Sequence, residues 1–439
     1  MIEKNINFVV NKQWLMRVLI VNTGCTRGGA SVAADRLKTA LNNDGVKAKM
    51  LVREKDNDDI STFELPHSWR LRWNYVWERV SVLSHLKFRS RHLSDIDIAN
   101  MGADITRLPE FREADVIHLA WINQGMISLK DIAKILKTGK PVVWTMHDAW
   151  PCTALCHDPH GCMAFETQCR NCMLLPGGGS DKDLSTVLWR RKEQLYSKGQ
   201  ILFVADSRFL HQMARRSRLL TGFRVETIPN PIDTYLFRPS DKAEARRRFR
   251  LPLDKKIILV EAQDADDEDE GMTVLRESLK ALVAARPSCK DDCCIAVFGD
   301  DCDDIGDDLP LPVFRLGYVN DDHTMADIYN AADVYVFPAL QANQPNTIME
   351  AMACGVPAVA FGIGGIPEMI DHQRNGYLAK GTDAADLSRG LMWALFEASQ
   401  PDLAREAVRK VQANYAQRQV AMKYIEVYNQ AMAFKNYHI

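Results

Sequence analysis

The 439-residue chain has no apolar run that approaches the roughly 18 residues of a membrane span, which argues against a helical transmembrane segment. It has no excess of either charge: 55 Lys and Arg stand against 57 Asp and Glu, a net charge of −2. That balance argues against nucleic acid as a partner. Residues 1–15 have neither the apolar core nor the cleavage site of a secretory signal and read as a leader. A full G-x-G-x-x-G is missing near the first strand, where Gly28 and Gly29 sit too close to it, so no dinucleotide fingerprint is assigned. The eleven cysteines are odd in number and clustered. In a large chain without a signal this favours free thiols or a metal over disulfides, and places the protein in the cytoplasm.

What is present is an ordinary globular composition, 46% hydrophobic and 26% charged. The length is too great for one ordinary core and suggests two domains. Residues 17–24, RVLIVNTG, read as a buried strand, followed by a helical pattern and the strand VKAKMLVR. This βαβ opening favours a parallel sheet with right-handed crossovers. Further strands are predicted at 115–121, 141–147, 201–207, 256–262, 312–319 and 334–339, with helical patterns between them. Cys293 and Cys294 start another strand, CCIAVFG, so their side chains should face opposite ways.

Residues 341–368, QANQPNTIMEAMACGVPAVAFGIGGIPE, carry the most chemistry. Asn343 reads as an N-cap, Pro345 sits in the first turn, and Gly355 closes a short helix. The apolar run VPAVAF reads as a buried strand, Gly362, Gly364 and Gly365 follow it, and Glu368 opens a new helix. A strand end that feeds glycines into a helix N-terminus suits a phosphate, because the backbone can approach closely and its free N–H groups point at the anion. Glu350, about a turn into the preceding helix, can accept hydrogen bonds from ribose hydroxyls.

Pro345, Asn346, Glu350-Ala351-Met352-Ala353-Cys354-Gly355, Pro357 and Gly364-Gly365-Ile366-Pro367-Glu368 together resemble the nucleotide-binding segment of retaining glycosyltransferases of the large fourth family. The resemblance implies an α/β protein of GT-B architecture: two Rossmann-like, doubly wound domains that face a cleft. The domains fall at 16–231 and 232–415, and residues 416–439 form a helix that crosses back to the first. A nucleotide-sugar donor would sit mainly on the second domain, at Asn346, Glu350, Gly364, Gly365 and Glu368, faced by Gly28 and Gly29 of the first. The acceptor would be a saccharide or a polyprenyl-linked sugar in cell-surface polysaccharide assembly. No metal is implied at the reacting centre.

The chain departs from the family at several points. A family His-x-His at the end of one strand reads His118-Leu119-Ala120 here, so the second imidazole is missing. His118 stands as the catalytic candidate, or else as a packed histidine. Of two family glutamates, Glu350 matches the second and Ala342 falls at the first. Where relatives carry an Arg and a Lys against the pyrophosphate, this chain has Asp269 and Glu270 in an acidic run, 264–270. Such a loop repels a dianion unless a Mg²⁺ ion bridges them. These losses keep open a second reading, a non-catalytic relative that acts as a binding or scaffold subunit.

Two other segments carry their own expectations. In residues 67–92, Trp69, Trp73 and Trp77 recur on one helical face among Arg70, Arg72, Arg79, Lys87, Arg89 and Arg91, with Glu78 the one acid. Such a segment either lies on an anionic membrane surface or packs its tryptophans onto the sheet. In an insert at 148–176, Cys169 and Cys172 form a C-x-x-C knuckle, and with Cys156 and Cys162 they supply four ligands for a structural Zn²⁺, with His157 and His160 in reserve. The alternative is reduced cysteines without metal.

Overall fold

The computed structural model describes residues 15–66, 68–262, 271–300, 302, 305 and 309–436. Strands β1 (Arg17–Val21), β2 (Lys47–Val52), β3 (Thr62–Glu64), β4 (Val116–Leu119), β5 (Val142–Met146), β6 (Ile201–Ala205) and β7 (Val225–Thr227) form one parallel sheet in the order 3-2-1-4-5-6-7. Strands β8 (Lys256–Glu261), β9 (Cys293–Phe298), β10 (Val313–Arg315), β11 (Val334–Phe337), β12 (Ala358–Phe361) and β13 (Gly376–Ala379) form a second, in the order 10-9-8-11-12-13. Helices cover both faces of each sheet, so the central strands are buried throughout and read as continuous apolar runs. Cys293 and Cys294 enter β9 on opposite faces, each in a different apolar cluster.

Strand order reverses between β1 and β4, and again between β8 and β11. At such a point the loops leaving the carboxyl ends of the strands part and leave a crevice. Asn22 organises the first of these loops. Its Nδ2 donates to the Gly24 carbonyl at 2.8 Å and to Ser31 Oγ at 3.2 Å, and its Oδ1 accepts from the Trp121 N–H at 2.9 Å. The helix Gly29–Asn43 then starts at Gly28, whose φ of 86° favours glycine.

The chain passes between the sheets twice, and the two passages meet. Ile232 N donates to the Tyr415 carbonyl at 2.9 Å, and Gln417 N to the Ile232 carbonyl at 3.1 Å. Beyond this point the helix Gln417–Asn436 lies on the first sheet, burying Val420, Tyr424, Val427, Tyr428 and Ala431 among Val18, Ile20, Val116 and Val143. The helix before it, Gln400–Asn414, buries Ala407 and Val411 in a core of the second sheet. Each sheet therefore holds one end of the C-terminal segment.

Candidate functional site

Glu350 lies on the helix Asn346–Ala353, which buries Ile348, Met349 and Met352 and ends before Gly355, at φ 80°. The N-cap is Pro345, which has no side chain to bond the first turn. Asn343, expected to cap this helix, instead reaches into the other domain. Its Nδ2 donates to the His147 carbonyl at 3.2 Å and to Asp206 Oδ1, and its Oδ1 accepts from the Ser207 hydroxyl. A cap needs only local geometry, whereas this residue faces a neighbour more than a hundred positions away.

Both oxygens of the buried Glu350 carboxylate are engaged. Oε1 accepts from Arg36 Nη1 at 2.7 Å and Oε2 from the Tyr329 hydroxyl at 2.8 Å. Arg36 comes from the helix Gly29–Asn43 of the first domain. Its Nη2 reaches Asp322 at 3.3 Å, and its guanidinium lies 5.0 Å from the Phe237 ring centroid. Burial acts to lower the Arg36 pKa, but Glu350 and Asp322 outweigh it and the value is raised, so the group stays charged.

The glycines and their neighbours also meet across the domain boundary. Asn346 Nδ2 donates to the Gly29 carbonyl at 3.0 Å, and its Oδ1 accepts from Asn230 at 3.4 Å. Gly364 has φ 52°, and a Cβ there would lie 1.7 Å from the Ala342 carbonyl oxygen. A Cβ on Gly365 would meet the Asn343 carbonyl oxygen at 2.3 Å and Ser207 Cβ at 2.9 Å. Glu368 accepts the Phe209 N–H at 3.1 Å, in the first turn of the helix Arg208–Arg216. Gly28, Gly29, Asn346 and Glu350 thus gather at one edge of the cleft, and Gly364, Gly365 and Glu368 gather against the helix that follows β6.

His118 is not among them. It is fully buried, with Nδ1 2.7 Å from the Tyr428 hydroxyl and Nε2 2.8 Å from Thr145 Oγ1, and it stacks on Tyr424. Burial, with the charge of His147 adding to it, lowers its pKa to about 3. In this geometry His118 is a neutral packing residue that ties the C-terminal helix to β4 and β5. A cavity of about 630 Å³ lies at the far, N-terminal ends of β5 and β6, lined by Lys140, Val142, Ile201 and Arg224, and touches none of these residues.

Two protein-family models match most of the chain between them: "Glycosyltransferase Family 4" over residues 27–236 and "Glycosyl transferases group 1" over 255–396. The chain belongs to the group 1 glycosyltransferases, of GT-B fold. D-inositol 3-phosphate glycosyltransferase 2 of Catenulispora acidiphila is 29% identical over 216 residues, 44% of this chain and 48% of that protein. The matched stretch spans about half the length of such relatives. Sucrose-phosphate synthase from Thermosynechococcus elongatus has the same fold, with a TM-score of 0.62 at 17% identity over 95% of this chain and 99% of that one. So does the Anabaena protein Alr3699/HepE in complex with UDP, with a TM-score of 0.61 at 15% identity over 94% and 100%.

Within this group 1 glycosyltransferase, Ala120 is buried and Ala342 packs against the second core, so neither adds a polar group to the cleft. Asp269 and Glu270, with the proposed Mg²⁺ contact, lie outside the described residues. The eleven cysteines are free. Among the described residues no three His, Cys, Asp or Glu side chains form a metal-holding group, so the expected four-thiolate arrangement is not assembled. Cys156, Cys169 and Cys172 pack against the first core instead, and burial raises Cys156 and Cys169 to about 12. Of the reserve ligands, His157 Nδ1 bonds Asp148 at 2.7 Å and His160 Nδ1 bonds Gln341 at 2.9 Å, while His160 Nε2 is buried without a hydrogen-bond partner among the described residues.

The helix Ser68–His85 does not pack its tryptophans onto the sheet. Trp69, Trp73 and Trp77 are 58%, 57% and 56% exposed, while Leu71 and Val82 are buried. Glu78 is buried too, and desolvation, then Asp97, raise its pKa above the ordinary carboxylate range. Arg72 pairs with Glu54 and Arg79 with Asp97; Lys87, Arg89 and Arg91 follow on the surface.

Proposed function

We propose that this chain transfers a sugar from a nucleotide-sugar donor to a saccharide or lipid-linked acceptor, with retention at the anomeric carbon, in cell-surface polysaccharide assembly. The observation that carries this reading is the meeting of Gly28, Gly29, Asn346 and Glu350 at the crevice between two switch points, in a chain of this family. Glu350 holds the ribose. In the Gly364-Gly365 turn the Gly365 N–H already bonds the Asn343 carbonyl at 2.9 Å and the Ile366 N–H the Ile363 carbonyl at 3.1 Å, so the Gly364 N–H is the donor the turn offers to the diphosphate. Leaving-group stabilisation falls to such preorganised dipoles, since the cations of the family pattern are absent. UDP, present in the Anabaena structure, is the first base to try.

The exposed tryptophans and the basic residues after them support peripheral docking on an anionic membrane, on its cytoplasmic face, where a lipid-linked acceptor would be met. A structural Zn²⁺ in the insert is a separate proposal. It needs the four thiols, three of which pack against the first core, to turn toward one another. One zinc per purified chain, lost in Cys169→Ser, supports it; none counts against it.

A specific observation favours the second reading, a non-catalytic binding or scaffold subunit: Glu350 is occupied by Arg36, and Ala120 and Ala342 contribute nothing polar. The two separate in one assay. The protein is incubated with UDP- and GDP-sugars and with soluble, phosphorylated and lipid-linked acceptors, and nucleotide release and product anomer are read by NMR. A product that keeps the donor anomer supports transfer; binding without turnover supports the scaffold.

A further inference from the structure

We propose that Arg36 is a latch between the two domains that competes with the donor's ribose for Glu350. This rests on the donor-site reading above. The ion pair joins residues 314 positions apart, one from each domain, and both side chains are only 7% exposed. A carboxylate has about four acceptor positions. Arg36 and Tyr329 take one on each oxygen, and the packing around the pair closes off the rest. A vicinal diol cannot reach Glu350 until the guanidinium leaves.

Arg36 is also incompletely satisfied where it sits. Its Nε is buried and has no hydrogen-bond partner among the described residues. Its second bond goes to Asp322, whose side chain is half exposed. An arginine held permanently would be expected to use all its donors, because an unmatched buried N–H is costly. Besides Glu350, Asp322 and the Phe237 ring, which hold Arg36 itself, the two domains meet through side-chain hydrogen bonds: Asn346 to Gly29, Phe209 to Glu368, and Asn343 to His147, Asp206 and Ser207. Closed, the latch keeps Glu350 from the donor; open, it exposes both Glu350 and the Gly29 loop.

A latch lowers apparent affinity by the fraction of molecules that are open. If about nine-tenths are closed, its removal tightens nucleotide binding about tenfold, or about 1.4 kcal/mol. The test uses the full chain, Arg36→Gln and Glu350→Gln, with small-angle scattering without ligand and calorimetry with UDP and GDP. Both variants should show a larger radius of gyration, and Arg36→Gln alone should bind one nucleotide about tenfold more tightly. Unchanged scattering in both variants with unchanged affinity overturns the latch while leaving the donor site standing. Weaker binding by Arg36→Gln also overturns it, because Arg36 would then belong to the donor site. Opening in both variants with no nucleotide bound by any form keeps the tie between the domains but sinks the donor reading and, with it, the competition for Glu350.

Discussion

Two buried arginine–carboxylate pairs in this chain have the same 2.7 Å separation and nearly the same burial, yet they are built differently. Arg246 and Asp333 both belong to the second domain. Arg246 Nε donates to the Ala331 carbonyl, Nη1 to the carbonyls of Pro252, Leu253 and Lys255, and Nη2 to Asp333. Asp333 also accepts from Ile257 N at 2.7 Å and from Lys242 at 2.9 Å, and its pKa is lowered because Lys242 and these bonds outweigh its burial. Arg36 and Glu350 span the domain boundary, and Arg36 leaves a donor unmatched. A buried charge pair that is fully satisfied holds a domain together. One that is partly satisfied and shared between domains can be released at a modest cost.

The largest effect should come from breaking the saturated pair. Asp333→Ala leaves Arg246 buried without its counter-charge and should destabilise the chain by about 3–5 kcal/mol. Urea unfolding measures this, and a loss below about 1 kcal/mol would contradict the account.

His118 belongs on the static side of the same contrast. Its folded pKa, about 3, lies below the ordinary histidine value of about 6.5 in the unfolded chain. Below pH 6.5 the unfolded state therefore binds the extra proton, and stability falls by about 1.4 kcal/mol per pH unit down to about pH 3. His118→Gln should flatten the acid side of the stability profile by that one-proton slope, whatever it does at pH 7. An unchanged slope would mean that the imidazole is not buried neutral.

Arg36→Gln should come next, with a smaller loss of stability than Asp333→Ala and a change confined to domain spacing and nucleotide affinity. The smallest effect on stability belongs to the exposed face. Trp73→Ala with Trp77→Ala should shift unfolding by less than about 0.5 kcal/mol. Flotation with vesicles rich in anionic lipid should nonetheless drop to background, while neutral vesicles are unaffected. Retained flotation would remove the membrane reading.

Local pattern was enough for much of this. The βαβ opening, the helix that carries Glu350 and the Gly364-Gly365 turn are all legible, because each is built from spacing within single strands, helices and turns. Arg36 is not. In the sequence it is one more polar residue on a helix, and its partner lies 314 positions away. Asn343 reads as a cap, a place that Pro345 fills, because its partners lie 136 to 196 positions away; Tyr329 is only 21 positions from Glu350 but on another helix, and local spacing does not bring the two together. His118 shows the converse. A strand histidine looks functional until the C-terminal helix, more than 300 residues later, supplies the tyrosines that surround it. The tryptophans recur at helical spacing, but spacing alone does not say which face meets the core; Leu71 and Val82 do.

The most direct test of the central claim, that the cleft holds a nucleotide at Glu350, is calorimetric titration of the intact chain and of Glu350→Ala with UDP and GDP, with and without Mg²⁺. The account predicts micromolar binding of one nucleotide by the intact chain and, because Glu350→Ala also breaks the latch, binding tenfold or more weaker in Glu350→Ala than in the unlatched Arg36→Gln variant. Binding that needs Mg²⁺ would implicate the acidic run at 264–270. No binding by the intact chain or by the unlatched Arg36→Gln variant, or binding by Glu350→Ala equal to that of Arg36→Gln, would contradict the claim.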